Sequence, residues 1–99
     1  MKRNNLINVS DICMSTYTNA DGQSLKSAIA DSLLVCDAVV VSFHGIDSVS
    51  TSFLNSSFGE LVSDFGLESI KKKVKITNYT SSLLQSIKKY INSLSYELV

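Results

Sequence analysis

Apolar residues along this chain switch repeatedly between a period of about two, which suits extended segments, and about 3.6, which suits helices; the switches divide it into elements. Leu6 to Val9 has the apolar content of a short strand, and Ile12 to Tyr17 reads as a second strand paired to it across Ser10-Asp11. Asn19-Ala20-Asp21-Gly22 signals a turn, after which Leu25, Ala28, Ile29 and Leu33 recur at helical spacing and predict a helix from about Gln23 to Leu34. Ala38 to Phe43 is an almost unbroken β-branched run, the pattern of a strand buried on both faces in the middle of a sheet. His44-Gly45 turns the chain, and a helical period follows at Phe53, Leu54, Phe58, Leu61, Val62 and Phe65, stopped by Gly66. Val74 to Thr77 reads as the next strand. Thr80 then caps a last helix in which Leu83, Leu84, Ile87, Tyr90, Ile91, Leu94 and Leu98 keep the period.

Strands alternating with helices in this way imply an α/β fold, a small mixed or parallel sheet of about four strands covered by three helices. The sequence contains no proline and no internal repeat or low-complexity linker, so residues 1–99 are expected to form a single domain. Hydrophobic residues make up 44% and charged residues 18%, which is enough apolar material for a core and too little charge for a disordered chain.

Nine basic side chains balance nine acidic ones, which argues against sequence-independent binding to nucleic acid or to an anionic membrane. The charges are segregated, however. Asp21 to Glu68 holds seven acids against Lys26 alone, and Ser69 onward holds six lysines against Glu97 alone. The KKKVK run at Lys71 to Lys75 has no interleaved aromatics or glycines; it reads as a solvated loop and a strand edge whose lysines discourage edge-to-edge pairing. Cys13 and Cys36 lack any metal-binding or redox spacing, and MKRNN is not followed by an apolar stretch of signal or membrane-spanning length. A reducing cytoplasm and no membrane partner are expected.

Hydroxyls crowd the segment after the central strand: Ser48, Ser50, Thr51, Ser52, Ser56 and Ser57. On an ideal helix Leu54, Phe58, Leu61, Val62 and Phe65 share one side, while Ser52, Ser56, Gly59 and Ser63 line the opposite side. A face of small uncharged residues lets another backbone approach closely, so these four are candidates for docking a partner or a second copy. Ser48, Ser50 and Thr51 are natural helix caps, and phosphate added at this start would meet the positive end of the helix dipole.

VVVSFHGIDSVSTSFLNSSFGELVSDFG, Val39 to Gly66, and KVKITN, Lys73 to Asn78, resemble the STAS-like family. These are bacterial domains, mostly of unknown function, that read as an apolar strand, a D-F-x-G-V turn, two or three hydroxyl residues, S-F and an F-G-x-L helix. The resemblance runs from about Gly22 to Ile91 and is concentrated in S-F-L and F-G-E-L. More distantly the segment is similar to the STAS domains of anti-anti-sigma factors. That likeness implies a non-catalytic regulatory module that binds protein, controlled by a histidine-kinase-like ATPase. The phosphorylated serine of those factors falls on Thr51, its neighbour on Ser52, and the preceding aspartate on Ser50. Ser42 stands where related proteins carry a strand-end aspartate, and Asn55 and Ser56 stand where acids often follow S-F-L.

Catalysis would need a nucleophile with its base, paired proton carriers or metal ligands. The sole histidine, His44, precedes Gly45 in a turn, with Asp47 and Ser48 beside it, and no glycine-rich phosphate loop is present. No enzyme activity, cofactor or metal is therefore expected. The His44–Thr51 turn does lie where ligands bind in open α/β sheets, which makes a small-ligand or nucleotide sensor a second reading. A third is a structural homodimer using the Tyr96-Glu97-Leu98-Val99 tail.

Overall fold

The computed structural model describes residues 4–97, and the order of elements follows the alternation of the sequence. Strand β1 (Asn4–Asn8) is followed by a single helical turn, α1 (Val9–Ile12), and by the long helix α2 (Asn19–Val35). Strand β2 (Ala38–Ser42) leads through a loop to α3 (Thr51–Leu54), a π-helical turn (Asn55–Gly59) and α4 (Glu60–Phe65), which run on as one continuous helix. Then come α5 (Leu67–Lys73), β3 (Val74–Thr77) and α6 (Ser81–Glu97). Leu98 and Val99 lie outside the described residues, as do the side chains of Tyr96 and Glu97, and with them the tail contact expected of a dimer.

The sheet is α/β and parallel, in the order β1-β2-β3, so the β-branched run AVVVS occupies the centre as expected. Parallel neighbours need helical crossovers, which 19–35 and 51–73 supply. The described residues hold three strands rather than four. Ile12 to Tyr17 is not a strand. Its hydroxyls and backbone groups bond to Asp21, Ser48 and Ser50, an alternative that outcompetes a ladder. The Asn19–Gly22 turn signal is likewise the first turn of α2: Thr18 Oγ1 accepts from the Asp21 N–H at 3.1 Å and donates to Asp21 Oδ2 at 2.7 Å, a reciprocal cap that begins the helix early.

Helices cover the sheet unevenly. Pairing puts Ile7, Val41 and Ile76 on one face with Val39 and Val74, and of these Ile7, Val39, Val41 and Val74 are buried. The opposite face carries Leu6, 59% exposed, beside half-buried Val40 and exposed Lys75. The central strand is thus sealed on one face, while on the other Val40 is half-buried and only Ser42 is fully buried, so the expected burial on both faces is incomplete. The core joins the sealed face to Leu25 and Ile29 of α2, Phe53, Phe58 and Leu61 of the 51–65 helix, and Leu83 and Ile87 of α6. Each fully buried phenylalanine contributes about 1.5–3 kcal/mol relative to exposure. The lysine run is not a loop. Lys71, Lys72 and Lys73 form the last turn of α5, where positive charge suits the negative end of the dipole, and Lys75 sits on edge strand β3.

Candidate functional site

The carboxyl ends of β1 and β2 and the loops that follow them build the polar end of the molecule. Ser42, buried at the end of β2, accepts through Oγ from the Asn78 amide at 2.9 Å and from the His44 N–H at 3.3 Å. The Phe43 N–H donates to Thr77 O at 3.0 Å, which extends the tie between the two strand ends. Asn78 makes its bond from a left-handed backbone, φ 55°, a conformation asparagine tolerates better than most residues. Ser42 thus acts as an acceptor at the place where an acid was expected from the resemblance.

The chain then turns through Gly45, φ 79°, with the Ile46 N–H donating to Phe43 O at 2.9 Å. His44 and Gly45 are exposed on the tip. Further on, residues 48–50 are clamped to 16–17. Thr16 Oγ1 donates to Ser48 O at 2.7 Å, the Ser50 N–H to Thr16 O at 3.0 Å, and Ser50 Oγ to Tyr17 O at 2.9 Å. Tyr17 Oη and Ser48 Oγ share a 2.7 Å hydrogen bond. Between the two segments lies an open crevice of about 400 Å³ lined by Cys13, Thr16, Tyr17, Gly45, Asp47 and Ser48 among others. His44 does not line it, so the expected ligand turn divides into a crevice wall and an outward-pointing tip.

One carboxylate organises the 13–18 segment. Asp21 accepts from Ser15 Oγ at 2.7 Å, Thr18 Oγ1 at 2.7 Å and the Met14 N–H at 3.1 Å. The Ser15 and Thr18 hydroxyls hold its carboxyl below the usual value of 3.8. Burial, reinforced by the charge of Asp21, pushes the nearby Cys13 thiol up to about 11, so at neutral pH it is a protonated thiol that donates to Asp21 O. Among the described residues no group of three His, Cys, Asp or Glu side chains could hold a metal ion. No described helix is long and apolar enough to cross a membrane.

Ser50 is the helix cap, with Oγ accepting from the Phe53 N–H at 3.0 Å. Its hydroxyl is therefore used twice, while Thr51 and Ser52 are exposed in the first turn. The small-residue face is not the open surface expected from helical spacing. Ser56 is buried and donates to Asn19 Oδ1 at 3.0 Å, Gly59 lies under the Tyr90 hydroxyl, and only Ser52 and Ser63 are exposed. Neighbouring helices are the reason: α2 covers Ser56 and the Tyr90 side chain of α6 covers Gly59, while the wider i→i+5 winding of the π turn at Asn55–Gly59 takes the positions after it off the stripe that regular winding predicts. The close backbone approach foreseen for small residues does occur, but within the protein. A Cβ on Gly22 of α2 would lie 2.6 Å from Phe53 O and 2.7 Å from Ser56 Cβ. Ser57, fully buried, donates to Phe53 O at 2.7 Å.

Sequence reasoning missed Met14, Tyr17 and Asp21 as parts of this end of the molecule. The T-x-x-D spacing of Thr18 and Asp21 was a usable signal; the Tyr17 bonds, made across 31 residues to Ser48 and 33 to Ser50, left none. The family described as a STAS-like domain of unknown function (DUF4325) matches residues 21–84, a span that holds β2, the serine-rich helix and β3. No curated protein and no solved structure matches the chain.

Proposed function

The chain belongs to the STAS-like domain family of unknown function, and from that premise we propose that it is a non-catalytic regulatory module that binds a protein partner through its polar end. The docking surface is the rim formed by fully exposed Met14, exposed Tyr17, the 44–48 tip and the first turn at Thr51 and Ser52. Apolar and aromatic side chains held on a rigid polar frame make good anchors. The observation that carries this reading is the allocation of hydroxyls. Ser48 and Ser50 are consumed by the Tyr17 clamp and the helix cap, which leaves Thr51 and Ser52 presented outward on a fixed frame.

Phosphate at Thr51 would place about −1.5 to −2 charge on the rim and switch docking, with a histidine-kinase-like ATPase as the modifying partner. Ser50 is the poorer acceptor, because its modification would break the cap and the Tyr17 bond together. The test is mass spectrometry of the chain purified from its native host, joined to capture of host proteins by wild type, Thr51→Glu and a Met14→Asp, Tyr17→Ser pair. Phosphate at Thr51 or Ser52, with a histidine-kinase-like ATPase captured by wild type and lost from both variants, is the expected result. Equal capture by all three chains would overturn the assigned surface.

A further inference from the structure

A second apolar surface lies away from the polar end. Between α5, edge strand β3 and α6 runs an open groove of about 440 Å³, with Ile70, Ile76 and Ile87 along it and Lys71, Lys75 and Lys88 at its margin. The three lysines are exposed. Such a groove suits a short apolar projection flanked by acids, and the chain itself carries one. The end of α2 projects Leu34, 79% exposed, and Val35, 65% exposed, between exposed Asp31 and Asp37. Two adjacent large apolar side chains left in water at a helix end need a reason, and so does a lysine-rimmed hydrophobic channel.

We infer that the protein self-associates head to tail, the Leu34–Val35 projection of one copy seating in the β3 groove of the next. Both halves of the contact match in kind. Leucine and valine meet isoleucines, while Asp31 and Asp37 approach Lys71, Lys75 and Lys88 around the rim. The segregation of charge along the chain, acids through residue 68 and lysines from 71 onward, becomes an arrangement that attracts the acidic part of one copy to the basic part of another. The projection ends the helix that packs over β1 and β2, whereas the groove follows β3 at the sheet's other edge, so each added copy leaves a fresh projection and a fresh groove. This surface is separate from the Met14–Thr51 rim, and either can fail without the other.

Sedimentation velocity on the full chain at concentrations up to about 1 mM tests it. Two variants change only exposed positions: Leu34→Asn with Val35→Asn removes the projection, and Lys75→Glu with Lys88→Glu reverses the groove margin. Circular dichroism confirms that each still folds. Wild type grows in mass with concentration, each variant alone weakens association by about tenfold or more, and an equimolar mixture of the two recovers a heterodimer, since one intact projection meets one intact groove. A wild type that stays monomeric overturns the inference, as do variants that associate like wild type or a mixture that shows no recovery.

Discussion

Gly22→Ala sets two opposed effects against each other. In a helix interior alanine is favoured over glycine by about 1 kcal/mol, and Gly22 lies within α2, so propensity alone predicts a more stable protein. Packing predicts the reverse. The new methyl would sit 2.6 Å from Phe53 O and 2.7 Å from Ser56 Cβ, and the nearer atom is backbone that no rotamer change can move. Relief requires α2 and the 51–59 segment to separate by roughly 0.5–1 Å, which forfeits a quarter to a half of the dispersion attraction across the contact. Overpacking of this kind costs about 1–3 kcal/mol, and a clash with two atoms at once belongs at the upper end. Subtracting the propensity gain leaves a net loss of about 1–2 kcal/mol, a fall of about 4–16 °C in Tm for a domain of this size. Thermal and urea unfolding followed by circular dichroism measure it. Gly59→Ala is the internal comparison, because its methyl meets the Tyr90 hydroxyl, which can withdraw only by giving up its bond to Asn55 Oδ1, so it reports a side-chain contact where Gly22→Ala reports a backbone one. If Gly22→Ala proves as stable as wild type or more so, the close approach does not govern this interface.

Other perturbations test the polar end. Asp21 is depressed below 3.8 by hydroxyl donors, so its contribution is present above that value and lost as pH falls through the lower folded pKa; Asp21→Asn should be less stable than wild type at pH 7, with the gap closing below pH 3.8 in urea titrations across pH. Cys13 is raised from 9.0 to about 11, so the unfolded chain loses this proton first, and the associated stability should decline as pH climbs from 9.0 to 11, a decline that Cys13→Ala removes. At pH 9.0 the folded Cys13 should also be alkylated by iodoacetamide more slowly than in urea, as read by mass spectrometry. Ser50→Ala removes the cap to Phe53 and the bond to Tyr17 O and should cost about 1–2 kcal/mol in the same unfolding assay, whereas Thr51→Ala should be close to neutral.

The elements that were legible are those whose signal is local. The β-branched run AVVVS marks the central strand, and Leu83, Ile87 and Ile91 on one stripe make α6 plain from the sequence. Segment 12–17 misled because it has the apolar alternation of a strand, while its polar groups are claimed by Asp21 and by residues more than thirty positions away. Helix α5 was hidden because Leu67 and Ile70 are too few to establish a period ahead of three lysines. The serine-rich face was misplaced for a different reason. Helical-wheel reasoning assumes uniform winding, and nothing in NSSFG announces a π turn. The family match covers the strands and the helix start that carried the resemblance; the Tyr17 clamp and most of α6 lie outside its span of 21–84.

That wider turn also sets how the segment tolerates a change of length. Deleting one residue from Asn55–Gly59 should let the stretch relax to regular winding, and because the wide turn accommodates one extra residue, everything downstream keeps nearly its present phase. Leu61 and Val62 would stay turned to the interior, and Lys26 would keep its partners Glu60 and Asp64, now 3.7 Å and 3.1 Å away. A single missing codon here should therefore do less harm than one in the regular turns on either side, where it would rotate everything downstream by about 100°.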